Sequence, residues 1–338
     1  MKKYLKIITL YALVLIIFFA FFRFFLQGRE LFERVKNIET FYLIPQIVLA
    51  FFFMSTTAYM NAIILKSFNI DLKIKEWFGL GCINALSNFI FPMKIGTMVK
   101  ALYLRNKYSF PITHSFSVLF FATFIKFEVD LFLTALLLGY AKLTSLFISP
   151  YLNHLLYFSC LMFPTGIAFV MVLAKIDLSV NLKSSFLNSI INRLILLIDG
   201  MKLISKNLRL LVMITSLDMV IFIIQMLSLY FAYMAIGKPS TIFNVAFVTL
   251  LTSIAELIPV TPSNLGIREI VISFSSIAIG CTIEEGFVVA AIIRIATMAH
   301  FFTFGTIFSI VLRRGLSKQS NGNILSFPNN NDIMKSVD

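Results

Sequence analysis

The stretch Glu256-Leu-Ile-Pro259-Val-Thr-Pro262-Ser-Asn264-Leu-Gly266-Ile-Arg268-Glu269 sets two prolines, a glycine and three charges inside a long apolar run. Pro259 and Pro262 forbid a continuous helix, and Gly266 permits a turn. In lipid no backbone N–H or C=O group can go unpaired. A break at membrane depth therefore survives only inside the protein or beside a water-filled cavity.

The surroundings of this stretch have the composition of a membrane protein. Of 338 residues, 59% are hydrophobic and 13% charged, about half the charged share of a soluble domain. Apolar runs recur near 4–27, 41–65, 77–104, 115–148, 152–174, 208–236, 241–281 and 284–312, each long enough for a hydrocarbon core about 30 Å thick. A barrel would need short alternating segments instead. The expected fold is an all-α polytopic membrane protein with about eight hydrophobic segments. Residues 1–315 read as one transmembrane domain, and the polar 316–338 as a disordered cytoplasmic tail. The first run continues to Phe25 without a small-residue cleavage site, so it reads as an uncleaved anchor.

The net charge of +13 comes from Lys and Arg that flank apolar runs. This pattern reports orientation and headgroup contact, and it excludes a soluble basic face for nucleic acid. Basic clusters stand at 2–6, 66–75, 105–107, 175–209 and 313–318. All fall on the cytoplasmic side only if 77–104, broken at Phe91-Pro92-Met-Lys94-Ile-Gly96, dips into the membrane and returns. The same parity makes 241–281 a hairpin entering from the opposite face. The expected topology is six full spans plus two oppositely oriented re-entrant hairpins, with both termini cytoplasmic. Loop 28–40, with Arg29, Arg34 and Lys36, runs against it. Residues 186–209, apolar at helical spacing on one side and polar on the other, read as a helix on the inner membrane surface.

The two breaks resemble each other. Pro92-Met-Lys-Ile-Gly96 and Pro262-Ser-Asn-Leu-Gly266 are both Pro-x-x-x-Gly. Asn88 precedes the first and Glu256 the second; a basic residue follows each on the next span, Lys126 and Arg294. Repeats at about 41–148 and 208–312, with opposite orientation, match the plan of transporters built from broken helices. A helix restarting after such a break points N–H groups and partial positive charge into the cavity, which favours an anion. Lys94, Lys100, Lys126, Arg268 and Arg294 can add full charges, making a positively biased pocket for a phosphate-bearing headgroup. The expected hinges are Pro92, Gly96, Pro259, Pro262 and Gly266. The expected substrate contacts are Asn88, Lys94, Lys126, Glu256, Asn264, Arg268, Glu269 and Arg294.

Other roles stay open for these charges. Lys94, Lys100 and Arg268 can snorkel to headgroups. Lys126 can pair with Glu128 or Asp130, and Arg294 with Glu256 or Glu269. The cysteines Cys82, Cys160 and Cys281 read as buried structural thiols, with no CxxC spacing. The three scattered histidines show no metal or catalytic pattern, so no metal and no cofactor are expected.

Asn88 to Gly96, paired with Pro259 to Glu269 and followed by a mid-span arginine at Arg294, resembles the lysylphosphatidylglycerol synthase transmembrane, or flippase-like, family. Pro92, Gly96, Lys126, Pro262, Gly266, Glu269 and Arg294 match its motif positions. Lys126 stands where the family has arginine, and Ser263 and Asn264 stand where it has glycines. The resemblance implies a flippase-like transporter moving an anionic or lipid-linked substrate, such as a glycan carrier or polyprenyl phosphate, between leaflets of the cytoplasmic membrane. The implied partners are membrane lipids and a synthase or glycosyltransferase. The aminoacyltransferase domain of bifunctional members is absent from this sequence, so lysine transfer is not expected. The alternative is an integral-membrane enzyme or accessory subunit acting on lipid-linked envelope precursors, with Glu128, Asp130, Glu256 and Glu269 as candidate carboxylates.

Overall fold

The structure, a computed structural model, describes residues 38–91, 95–144, 150–175, 185–256 and 261–320. Expectations placed on the N-terminal anchor, on Pro92, Lys94 and Pro259, and on the tail beyond 320 lie outside them.

Among the described residues, besides 3₁₀ turns at Thr40–Tyr42 and Pro262–Asn264, there are ten α-helices: α1 Leu43–Lys66, α2 Ile74–Ile90, α3 Ile95–Tyr108, α4 Ile112–Leu143, α5 Pro150–Lys175, α6 Ser185–Ser205, α7 Leu208–Ala235, α8 Ile242–Ala255, α9 Ile267–Ile277 and α10 Ile283–Ser320. No strand occurs among the described residues. The stretches Thr40–Lys66, Leu208–Ala235 and Ile283–Leu312 are long and apolar enough to cross a bilayer. α4 is 32 residues long but carries Lys126, Glu128 and Asp130 at its middle.

Local chemistry sets the helix ends. Asn207 Oδ1 accepts from the Leu210 N–H at 3.1 Å, and Thr241 Oγ1 from the Asn244 N–H at 3.2 Å, capping α7 and α8. Thr282 and Glu285 form a reciprocal capping box at α10: the Thr282 N–H donates to Glu285 Oε2, and the Glu285 N–H to Thr282 Oγ1. The chain leaves α1 through Asn69 (φ 59°) and α3 through Ser109 (φ 53°). It leaves α7 through Gly237 (φ 70°) and α9 through Gly280 (φ 83°). These left-handed exits stop each helix sharply.

The exits fall at matching places in two groups, α1–α4 and α7–α10. Packing follows the same rule. α2 and α3 form one hairpin, α8 and α9 the other. α1 packs on α2 as α7 does on α8, and α3 on α4 as α9 does on α10. Across the groups α10 packs on α1 and α2, and α4 on α7 and α8. α1 and α7 pair with each other and run antiparallel. The Glu39 N–H bonds Ala235 O at 2.9 Å, Tyr42 stacks on Phe231, and Ser228 Oγ donates to Gln46 Oε1 at 2.7 Å. Corresponding helices thus run in opposite directions, and the hairpins enter from opposite ends of the bundle.

One apolar core is built from α1–α4 with α6, the first half of α7 and Leu312 of α10, and a second from the end of α7 with α8–α10. α5 packs outside, on α4 and α6. Its Cys160 is exposed, unlike the buried Cys82 and Cys281, so the expectation of three buried thiols fails at this position. α6 seats Met201 and Ile204 in the first core, and its Gly200 lies against Ser117 and His114 near the start of α4. It therefore packs onto protein along one side.

Candidate functional site

Between the two cores lies a cavity of about 300 Å³. Asn88 of α2, Lys126 of α4, Glu256 at the end of α8, Asn264 and Arg268 of the second hairpin, and Arg294 of α10 all line it. These are six of the eight residues expected from sequence. Glu269 stands behind Arg294, and Lys94 lies outside the described residues. Lys100 is buried elsewhere, its Nζ donating to Asn61 Oδ1 at 2.7 Å, so it neither snorkels nor reaches the cavity.

The second hairpin turns through Ser263 (φ 46°), Asn264 (φ 53°) and Gly266 (φ 86°). Serine and asparagine in this region cost about 1–2 kcal/mol each. The turn persists because side chains hold it on several sides. Arg294 Nη1 donates to Ser263 O at 3.1 Å, and Asn264 Nδ2 to Glu256 O at 3.0 Å. Pro262 is buried, and its carbonyl accepts from the Leu265 N–H at 2.9 Å. The turn packs against α2, so the two hairpins meet at the cavity.

Each hairpin glycine is satisfied by its own chain. The Gly96 N–H donates to Asn88 Oδ1 at 2.8 Å, and the Gly266 N–H to Glu269 Oε2 at 2.7 Å. A Cβ on Gly96 would strike the Asn84 carbonyl oxygen and come within 2.7 Å of Asn88 Oδ1. Glycine is required there by close approach. These bonds also correct one expectation: the glycine N–H at each restarting helix is already occupied and is not offered to a ligand.

The expected positive bias fails too, because carboxylates answer the cations. Arg294 binds Glu269 through Nε (2.7 Å) and Nη2 (2.5 Å) to the same Oε1. Arg268 Nε stands 3.5 Å from Glu256 Oε1, and Gln225 Nε2 is 3.4 Å from the other oxygen. Lys126 Nζ donates to Ser253 Oγ at 2.5 Å and lies 3.7 Å from Asp130 Oδ2. Ser253 Oγ sits 3.0 and 2.9 Å from the two Asp130 oxygens. A buried charge without a partner is costly, and each pair is the physical remedy for that cost. Lys126 and Asp130 stand farther apart than Arg268 and Glu256 but are bridged by Ser253, whereas in the Arg268–Glu256 pair both side chains keep some exposure, 19% and 18%. Glu128 turns away from the cavity and lies against Gly166 of α5.

Asp218 and Gln225, two turns apart on α7, also line the cavity and were not expected. A signal for Asp218 exists in the sequence: a lone acid in the apolar run 208–236 falls under the same rule that singles out Arg294. Ser253 carries no such signal, since serine is common in transmembrane helices. Among the described residues no group of three or more His, Cys, Asp or Glu is arranged to hold a metal ion.

A sequence profile described as the lysylphosphatidylglycerol synthase TM region matches residues 7–305. No curated protein and no solved structure matches the chain.

Proposed function

Because the chain belongs to the lysylphosphatidylglycerol synthase transmembrane family, we propose that it carries a lipid with an anionic, phosphate-bearing headgroup between the leaflets of the cytoplasmic membrane. The observation that supports this reading is the meeting of two oppositely entering hairpins at a cavity that holds Lys126, Arg268 and Arg294. The headgroup occupies the cavity while its tails stay in lipid. Arg268, held by Glu256 at 3.5 Å, is the cation most easily lent to a phosphate, where its planar fork makes two parallel bonds. Rocking of α1–α4 against α7–α10 exposes the cavity to each face in turn. The chain acts without covalent chemistry of its own, its termini in the cytoplasm, alongside a synthase or glycosyltransferase that makes the lipid-linked cargo.

The test is reconstitution in phosphatidylcholine vesicles with a trace of fluorescent lipid. Phosphatidylglycerol or a polyprenyl phosphate is expected to exchange between leaflets at least tenfold faster than in empty vesicles, and Arg268→Ala is expected to remove most of the gain. No acceleration of any anionic lipid would overturn the reading. A metal-dependent product formed in detergent would replace it with an enzyme.

A further inference from the structure

Asp218 is a carboxylate that the pairing pattern leaves over. It lines the cavity with 4% of its surface exposed, and its Oδ2 is sealed without a hydrogen-bond partner. Across the cavity Lys126 is committed elsewhere: Nζ donates to Ser253, and Ser253 bridges to Asp130. Asp218 and Asp130 therefore share the field of one cation, and they repel each other. Two buried carboxylates against one ammonium leave a local charge of −1 if all are ionised. Such a site settles by taking up a positive charge.

The groups that face Asp218 are few. α4 presents Lys126 and Asp130, the end of α8 Glu256, the start of α9 Arg268, and α10 Arg294. α1 presents Thr57 and Met60. α6 carries Asp199, which acts on His114. Arg294 is bound to Glu269, and Glu256 to Arg268, so neither offers Asp218 a free partner. Among the described residues no group of three or more His, Cys, Asp or Glu stands ready for a metal ion, and a proton is the positive charge that a single buried carboxylate takes up without further ligands.

We propose that Asp218 takes up one proton for each anionic headgroup the cavity binds, and releases it with the headgroup at the other face. This inference rests on the proposed lipid function. An anion entering a buried site that already carries −1 is repelled; with Asp218 protonated, Lys126 balances Asp130, the set is neutral and that repulsion is gone. The chain would then be a proton-coupled lipid symporter, driven by a pH gradient.

The test titrates the purified protein, in detergent and weak buffer, with phosphatidylglycerol while a dye follows pH. About one proton should be taken up per lipid bound. Affinity should weaken about tenfold per pH unit once Asp218 ionises, the slope for one linked proton. Asp218→Asn should abolish the uptake and flatten affinity against pH, whereas Asp218→Glu should keep both. If Asp218→Asn does not fold, the wild-type stoichiometry and the Glu variant decide. In vesicles, labelled phosphatidylglycerol should follow an imposed pH gradient and stop with a protonophore. Binding with no proton uptake would overturn the coupling and leave the lipid reading standing. Flux driven by sodium and not by protons would do the same. Tighter binding of an amine-bearing lipid, without uptake, would make Asp218 a headgroup contact instead. No binding of phosphatidylglycerol at all would overturn both readings.

Discussion

Arg294 and Glu269 meet at 2.7 Å, Nε to Oε1, and through this pair α10 holds the start of α9 and the turn before it. Glu269 is 2% exposed, so neither partner can be removed alone without leaving a charge or a carbonyl unanswered. Arg294→Ala is expected to destabilise by about 3–5 kcal/mol, the range for a buried pair broken on one side. Thermal unfolding in detergent measures it. A cycle with Glu269→Ala should show strong coupling, the double variant losing much less than the sum of the singles.

The glycine of the first hairpin is a packing requirement. Gly96→Ala forces a methyl group against the Asn84 carbonyl and Asn88. The expected loss is about 1–3 kcal/mol, as for other overpacked sites. Gly139, whose Cβ position is open, serves as the control, and its alanine variant should be at least as stable as wild type.

Ser253 is the bridge between Lys126 and Asp130. Ser253→Ala removes a hydroxyl that both charged groups use and should cost about 1–3 kcal/mol, the penalty for buried groups left unsatisfied. Ser253→Thr keeps the hydroxyl and should recover most of it.

Sidedness can be read by cysteine labelling. Lys73 and Ser109 stand exposed at the two ends of the first hairpin, Pro239 and Ala278 at the two ends of the second. With Cys160 replaced, cysteines at 73 and 109 should react with an impermeant maleimide from one face of the membrane, and cysteines at 239 and 278 from the other. A hairpin whose two ends label from opposite faces is a full crossing, and the topology argued from basic clusters would then be wrong.

The breaks were legible because Pro and Gly act locally: whatever packs around Pro262 and Gly266, no straight helix runs through them. The opposite entry of the two hairpins was legible for a related reason, since the parity of charged loops is carried by residues close in sequence. Partner choice was not legible. Arg294 had Glu256 and Glu269 as equal candidates, and only the turn of α9 decides that Glu269 faces it. The expected positive cavity failed on the same ground: the carboxylates were visible in the sequence, but their nearness to Lys126, Arg268 and Arg294 belongs to the tertiary packing. Asp218 is legible as a lone acid in an apolar run, but it stands beside no Pro-x-x-x-Gly motif.

The antiparallel pairing of α1 with α7 has a consequence for how the chain can be made. The first apolar core draws on α6 and α7 as well as on α1–α4, so it closes only when the two groups meet, and the seams between the groups are non-covalent. Two polypeptides, severed between α5 and α6 and expressed together, should insert with opposite sidedness, find each other in the bilayer and rebuild a working whole.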